Sequence, residues 1–245
     1  MRKTVKALIL AGTAAVLCGT VLLLIYKQVI KLNTPSEEEY PVRGIDVSSY
    51  QGEIDWKVLS RGQDFAYIKA TEGSTFADER FAYNWEHSRE TPLRVGAYHF
   101  FSFDSGGAAQ AENFIGNVKG FDGMLPPVID VELYGDHRRD PKPAEEVVPE
   151  LREMVGRLEA EYGMKPIFYA TGSGYRLYVR DNFPDCGLWI RDVYTRPSGD
   201  SGWVFWQYSG TDVLDGYNGE EKYIDRNVFR GTRKEFEDFC AKSSS

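Results

Sequence analysis

The sequence predicts an α/β chain: a single incomplete TIM-like (β/α)8 barrel lacking some outer helices near its C-terminus, preceded by one N-terminal transmembrane helix. Three observations carry that prediction. Strand-like and helix-like patterns alternate five times between residues 42 and 179, the order that builds a parallel sheet with helices outside. The strand over 94–101 is almost continuously apolar, as expected where both faces are buried. Three more strand-like runs follow residue 187 with Gly-, Pro- and Asp-rich connections, which brings the strand count to eight without the last outer helices. A chain of 245 residues suits one barrel domain of this kind.

The N-terminus stands apart. Arg2, Lys3 and Lys6 precede an uncharged, mostly apolar run over 7–26, long enough to cross a bilayer and too long for a typical signal-peptide core. Tyr26-Lys27-Gln28-Val29 offers no small-x-small cleavage site, and bulky Leu17 before Cys18 argues against a lipoprotein signal. Residues 1–31 are therefore expected to be a cytoplasmic tip and signal anchor, with residues 32–41 a polar stalk and 42–245 the barrel. The modest excess of basic residues before the span favours an inside N-terminus and a barrel on the outer side; cleavage would instead give a secreted protein.

Residues 1–31 hold five of the 29 basic residues and no acid, which leaves 24 basic against 37 acidic residues, a formal charge of −13. That excludes a basic footprint for nucleic acid. The three histidines are dispersed and no Cys-x-x-Cys occurs, so neither a metal nor another cofactor is implied. Cys186 and Cys240 can pair in an oxidising compartment, or remain two buried thiols.

Taken in order, the elements are these. A strand over 42–48 carries the lone carboxylate of Asp46, and a polar turn follows at 49–52. A short helix starts near Ile54 with Asp55 as its cap. A second strand over 65–70 bears Lys69, and a helix over 78–89 turns Phe81 and Trp85 to one face. After the strand at 94–101, a helix over 108–118 spaces Ala111, Phe114, Ile115 and Val118 along one side. A strand over 126–133 comes next, then the longest helix at 144–162, with Val147, Val148, Leu151, Val155 and Leu158 as its apolar stripe. A strand at 166–170 precedes a helical piece at 175–179. The runs 188–190, 204–208 and 223–225 are the last strands, and a helix over 233–240 closes the chain.

Within 126–133, Asp130 and Glu132 lie two residues apart, which puts both carboxylates on one face of the strand together with Val128. Taken alone, such a triplet can simply be a strand end that reaches water. Five polar residues, however, fall near predicted strand C-termini: Asp46, Lys69, Asp130, Glu132 and Asp225. Barrels of this kind keep their sites at that end. Tyr98, Phe100, Tyr169, Trp189, Trp206 and Tyr208 accompany them; Phe100 reads as core, the others as candidate sugar platforms with a flat apolar face and a polar edge. Acids with aromatics, and no Gly-x-Ser-x-Gly, suggest glycoside hydrolysis, in which one acid protonates the leaving oxygen and a second group stabilises the cationic centre.

Six ordered blocks sharpen this: residues 44–52 (GIDVSSYQG), 68–73 (IKATEG), 96–100 (GAYHF), 127–132 (PVIDVE), 206–208 (WQY) and 224–227 (IDRN). Together they resemble glycoside hydrolase family 25, the muramidase-type lysozymes with a flattened, incomplete β/α barrel. The resemblance implies a hydrolase acting with net retention on the β-1,4 bond from N-acetylmuramic acid to N-acetylglucosamine in peptidoglycan, and the chain is expected to be a monomer. It makes Glu132 the general acid, Asp130 the assisting carboxylate, and Asp46 and Asp225 further active-site acids. Arg191-Asp192 departs from the smaller or polar residues expected there, which leaves sugar contacts at that edge open. Competing readings are a membrane-anchored wall-binding protein without turnover and a chitinase-like N-acetylglucosaminidase; the latter's acidic run upstream of D-x-E is replaced here by Pro126-Pro127-Val128-Ile129.

Overall fold

In the computed structural model, residues 2–199 and 202–242 are described; the charges assigned to Arg2 and Lys3, Asp200 in its loop, and the last three residues lie outside what is described of side chains or backbone. The chain runs α1 (Arg2–Tyr26), β1 (Arg43–Val47), α2 (Trp56–Leu59), β2 (Phe65–Glu72), β3 (Phe76–Ala77), α3 (Phe81–Ser88), β4 (Arg94–Phe100), α4 (Gly107–Asn117) and β5 (Val128–Val131). It continues with α5 (Ala144–Tyr162), β6 (Ile167–Ala170), α6 (Gly172–Gly174) leading into a π-helical turn (Tyr175–Val179), β7 (Gly187–Arg191), β8 (Trp203–Asp212), β9 (Ile224–Phe229) and α7 (Arg233–Lys242).

Eight strands close the barrel in the order β1-β9-β8-β7-β6-β5-β4-β2, with β2 pairing back onto β1 and the two-residue β3 added as a hairpin on β2. The strands from β1 to β8 are mutually parallel around the ring, β3 apart. β9 is not: it is antiparallel to both β8 and β1. Among the described residues no outer helix separates β7 from β8 or β8 from β9, as the Gly- and Pro-rich connections foretold, and without a crossover helix the last strand is free to turn back.

Three apolar layers follow from strand alternation. Ile45, Ile68, Val95, Ile129 and Val131 face outward and pack on Trp56, Phe81, Trp85, Phe114, Leu151 and Leu158 of the helices. Phe65, Tyr67, Val128, Ile167, Tyr169, Trp189 and Phe205 fill the lumen, and Phe236 and Cys240 of α7 join them with Phe229, so α7 stoppers the floor. Asp55 caps α2 by accepting from the backbone N–H of Lys57 and Val58, as its sequence position foretells. No disulfide joins Cys186 to Cys240, because Cys240 on α7 packs into the lumen cluster while Cys186 packs against the helix layer.

The third layer takes in part of the 32–41 segment. Residues 32–41 are strapped to the barrel wall where helices are missing: Tyr40 is buried on Trp203 and Trp206 with ring centroids 5.9 Å from each. Glu39 receives a two-pronged bond from Arg196 at 2.7 Å, and the Pro35 carbonyl accepts from Arg43 at 3.0 Å.

Candidate active site

Parallel strands bring their C-terminal ends, and β9 its N-terminal end, to one mouth, where a pocket of about 330 Å³ opens. Asp225 was expected at the end of a strand. It is instead the second residue of one, and the reversed direction of β9 is what carries it to the same mouth. There it is the direct partner of Asp46 across the β1–β9 pair. Asp130 lies in β5 and Glu132 just beyond it, where the chain leaves the ladder. Gly210 makes room for the cluster, since a Cβ there would lie 2.8 Å from Asp225 Oδ1.

Two amides fix Asp46. Gln207 donates to its Oδ1 at 3.0 Å and Asn227 donates to the same oxygen at 2.6 Å. Each amide is oriented in turn: the Tyr169 hydroxyl donates to Gln207 Oε1 at 2.9 Å, and the Trp189 indole donates to Asn227 Oδ1 at 2.8 Å. A closed network of this sort leaves little rotamer freedom to the carboxylate. Asp130 differs, because its Oδ1 is buried without a hydrogen-bond partner.

Burial acts on all four acids. It raises Asp46 to about 6, although the bonds from Asn227 and Gln207 and the charge of Arg191 oppose the rise. It lifts Asp130 well above the carboxylate range, helped by the charge of Glu132 and opposed by Lys69. Glu132 is raised by burial against the pull of Arg191 and Arg138, and Asp225 by burial and the neighbouring Asp46. Crowding and burial shift these carboxylates toward their protonated forms, the direction a general acid requires.

Lys69, Tyr98, Tyr169 and Trp189 line the same pocket. The Lys69 ammonium pairs with Glu72 at 2.7 Å and lies 5.2 Å from the centre of the Phe100 ring. Phe100, read as core, also reaches the pocket wall. Trp206 and Tyr208 do not belong there. Both point to the outer face of β8, where Trp206 is fully buried and its indole donates to the Asp192 carbonyl at 2.8 Å. Alternation instead turns Gln207 inward. Gln207 and Asn227 are thus site residues that sequence reasoning passed over, although Asn227 lies two positions from Asp225 and so shares its face; Arg191, noted only as a departure from the family's pattern, also lines the pocket. The conspicuous His99 is structural: Thr71 and Gln110 hold its two ring nitrogens at 2.7 and 3.0 Å, and burial lowers it to about 4, leaving it neutral.

A closed α/β barrel whose mouth gathers four carboxylates beside flat aromatic rings is of the glycoside hydrolase type. Comparison with known proteins makes the class specific. Residues 45–217 match the family model described as glycosyl hydrolases family 25. The structure of a family 25 glycosyl hydrolase from Bacillus anthracis superposes with a TM-score of 0.79 at 50% identity, covering 84% of this chain and 96% of that one. A bacterial lysozyme from Streptomyces coelicolor gives 0.73 at 32% identity, covering 82% and 98%. Lysozyme M1 of Streptomyces globisporus is 34% identical over 214 residues, 78% of this chain and 68% of that protein. The chain belongs to glycosyl hydrolases family 25 and is a glycoside hydrolase of the lysozyme type.

Proposed function

We propose that this enzyme hydrolyses peptidoglycan at the β-1,4 bond between N-acetylmuramic acid and N-acetylglucosamine. The observation that carries the reading is the Asp130–Glu132 pair: two carboxylates in one cleft, both held toward the protonated form by burial, with one oxygen of Asp130 unbonded. Glu132 gives its proton to the glycosidic oxygen as the bond to the anomeric carbon breaks. As that bond breaks, the carbonyl oxygen of the sugar's own acetamido group closes onto the anomeric carbon from the opposite face, and Asp130 stabilises the positive charge that the acetamido group takes on. Water then attacks from the face the leaving group vacated, Glu132 takes its proton, and the product keeps its configuration. Asp46 and Asp225 complete the acidic lining, while Lys69, Tyr98, Tyr169 and Trp189 bind the sugar rings.

The protein works as a monomer without a cofactor, and α1 remains uncleaved as a membrane anchor with its N-terminus inside and the barrel toward the wall. The helix Thr4–Tyr26, with a mean hydropathy of 2.5, supports this by length and composition. Glu132→Gln is expected to lower release of reducing ends from purified peptidoglycan by about 10²–10⁴-fold while leaving thermal unfolding in place. Full activity in that variant would reject the assignment. Mass analysis of the wild-type product is expected to find muramic acid at the new reducing end. Glucosamine there would favour a chitinase-like enzyme, and binding without new ends a scaffold.

A further inference from the structure

The segment that joins α1 to the barrel fastens to the mouth, not to the floor. β7 and β8 run with the other parallel strands, so Asp192, Ser209 and Asp212, at or just past their C-terminal ends, belong to the rim. Lys31 donates to Ser209 Oγ at 2.8 Å and pairs with Asp212. Asn33 donates to the carbonyl oxygens of Asp192 and Thr195 at 3.0 and 3.4 Å. The Tyr194 hydroxyl donates at 3.3 Å to the carbonyl of Tyr26, the last residue of α1. From there the chain passes down the outer face of β8 through Tyr40 and enters β1 from the floor. The 18-residue apolar core of α1 has no residue buried against the rest of the chain, so the helix extends away from the barrel at the rim.

The distribution of exposed apolar side chains points the same way independently. Outside α1, Val29, Ile30, Leu32, Tyr194 and Val213 are exposed large hydrophobics clustered around this attachment. Of the other four such residues, Tyr50, Phe76 and Tyr223 lie next to the mouth ends of β1, β2 and β9, and Leu177 is on the π-helical turn that follows β6. A soluble surface has no need of an apolar collar at one end, whereas aliphatic and Tyr side chains next to the end of a spanning helix are the composition of a membrane interface. Bulk charge does not bring the barrel there, because the portion beyond residue 31 carries −13.

We propose that the strap holds the barrel mouth-side against the bilayer, with Val29, Ile30, Leu32, Tyr194 and Val213 in the lipid headgroup layer, so that the cleft meets the glycan strands nearest the membrane. The occupant of this surface is lipid, because the surface is continuous with the end of α1. The inference rests on the reading of α1 as a retained anchor. Contact at β7 and β8 leaves the opposite rim, at β2 and β4, open for a strand to enter. That side carries a polar groove lined by Ser49, Ser74, Ser102 and Ser105, running into the pocket past Tyr50 and Lys69.

The test uses the full chain reconstituted in phosphatidylcholine vesicles containing a headgroup nitroxide lipid. A fluorophore is attached at the rim in Val213→Cys or at the floor in Lys234→Cys, with Cys18 and Cys186 changed to Ser. The rim probe is expected to be quenched severalfold more than the floor probe. A flexible Gly/Ser insertion of about 20 residues after Gln28, with a reach of about 25 Å, is expected to erase the difference. Equal quenching in the uninterrupted chain, stronger quenching at the floor, or no effect of the insertion overturns the orientation. The mass of the membrane-fraction protein isolates the anchor reading: a chain shortened past Tyr26 overturns the anchor and the orientation together, whereas an intact chain with equal quenching overturns the orientation alone.

Discussion

Asp46 carries a defined share of the electrostatic cost of the cleft. Its folded pKa of about 6 exceeds the ordinary 3.8, so the charged form is disfavoured by folding. The stability this group contributes is fully present below about pH 4 and is lost as pH rises through about 6. Above that, an ionised Asp46 costs the fold on the order of 2–3 kcal/mol. Asp46→Asn keeps an oxygen for Gln207 and Asn227 to donate to and removes the charge. The variant is expected to be about 2 kcal/mol more stable than wild type at pH 8 and equal to it at pH 4, read from urea midpoints; the same gain at both values would contradict a charge effect. Arg191 gives a second prediction. Its guanidinium lowers the pKa of Asp46, Glu132 and Asp225 alike. In Arg191→Gln all three rise, so the pH–activity profile is expected to move to higher pH, with the alkaline limb displaced upward because Glu132 keeps its proton longer. An unmoved or downward-moved limb would remove Arg191 from the electrostatics of the reaction.

The elements hold the site through close backbone contacts as well as side chains. α4 starts against α5 so tightly that a Cβ on Gly107 would lie 1.8 Å from the Glu150 carbonyl oxygen, while the Gly107 N–H donates to the Glu150 carboxylate at 2.6 Å. Gly107→Ala is expected to destabilise the barrel by about 1–3 kcal/mol in chemical denaturation while leaving activity per folded molecule unchanged, because the contact is on the outer layer. A neutral effect on stability would mean that the two helices slide freely. What the sequence disclosed about elements divides along the same physical line. Where strands carry helices outside, apolar periodicity is unambiguous, and the five βα units fall where their patterns put them. In β8 it is not. Trp203, Phe205, Trp206 and Tyr208 supply aromatics to both faces, and the outer face is covered by Tyr40 rather than by a helix, so no local pattern distinguishes in from out. The wall therefore took Trp206 and Tyr208, and the lone amide between them, Gln207, took the pocket. The direction of β9 was equally hidden, since it depends on a missing crossover and not on the composition of the strand. Asp130, Glu132, Asp46 and Asp225 stood out because carboxylates on or beside mostly apolar strands are uncommon.

At the scale of the molecule, the N-terminal strap covers the outer face of β8, where no helix packs among the described residues. Tyr40 is nearly fully buried and closes over Trp203 and Trp206; Glu39 and Arg196 form a fork over the edge, and the Pro35 carbonyl meets the buried Arg43. Removing residues before 42 uncovers one Tyr-sized contact and wets two indoles. Full burial of one such side chain is worth about 1.5–3 kcal/mol, and the exposed Trp surface adds to that. A soluble chain beginning at residue 32 is therefore expected to melt about 6–12 °C higher than one beginning at residue 42, given that about 3 kcal/mol displaces the midpoint of a domain this size by that much. Tyr40→Ala in the longer chain should reproduce most of the loss, which assigns the effect to the covered wall and not to chain length. Hydrolysis below the lower midpoint should be equal in both chains, because the strap packs on the outside of β8 and the acids stand within the mouth. Equal melting of the two chains would return residues 32–41 to a free stalk and leave the outer face of β8 stable on its own.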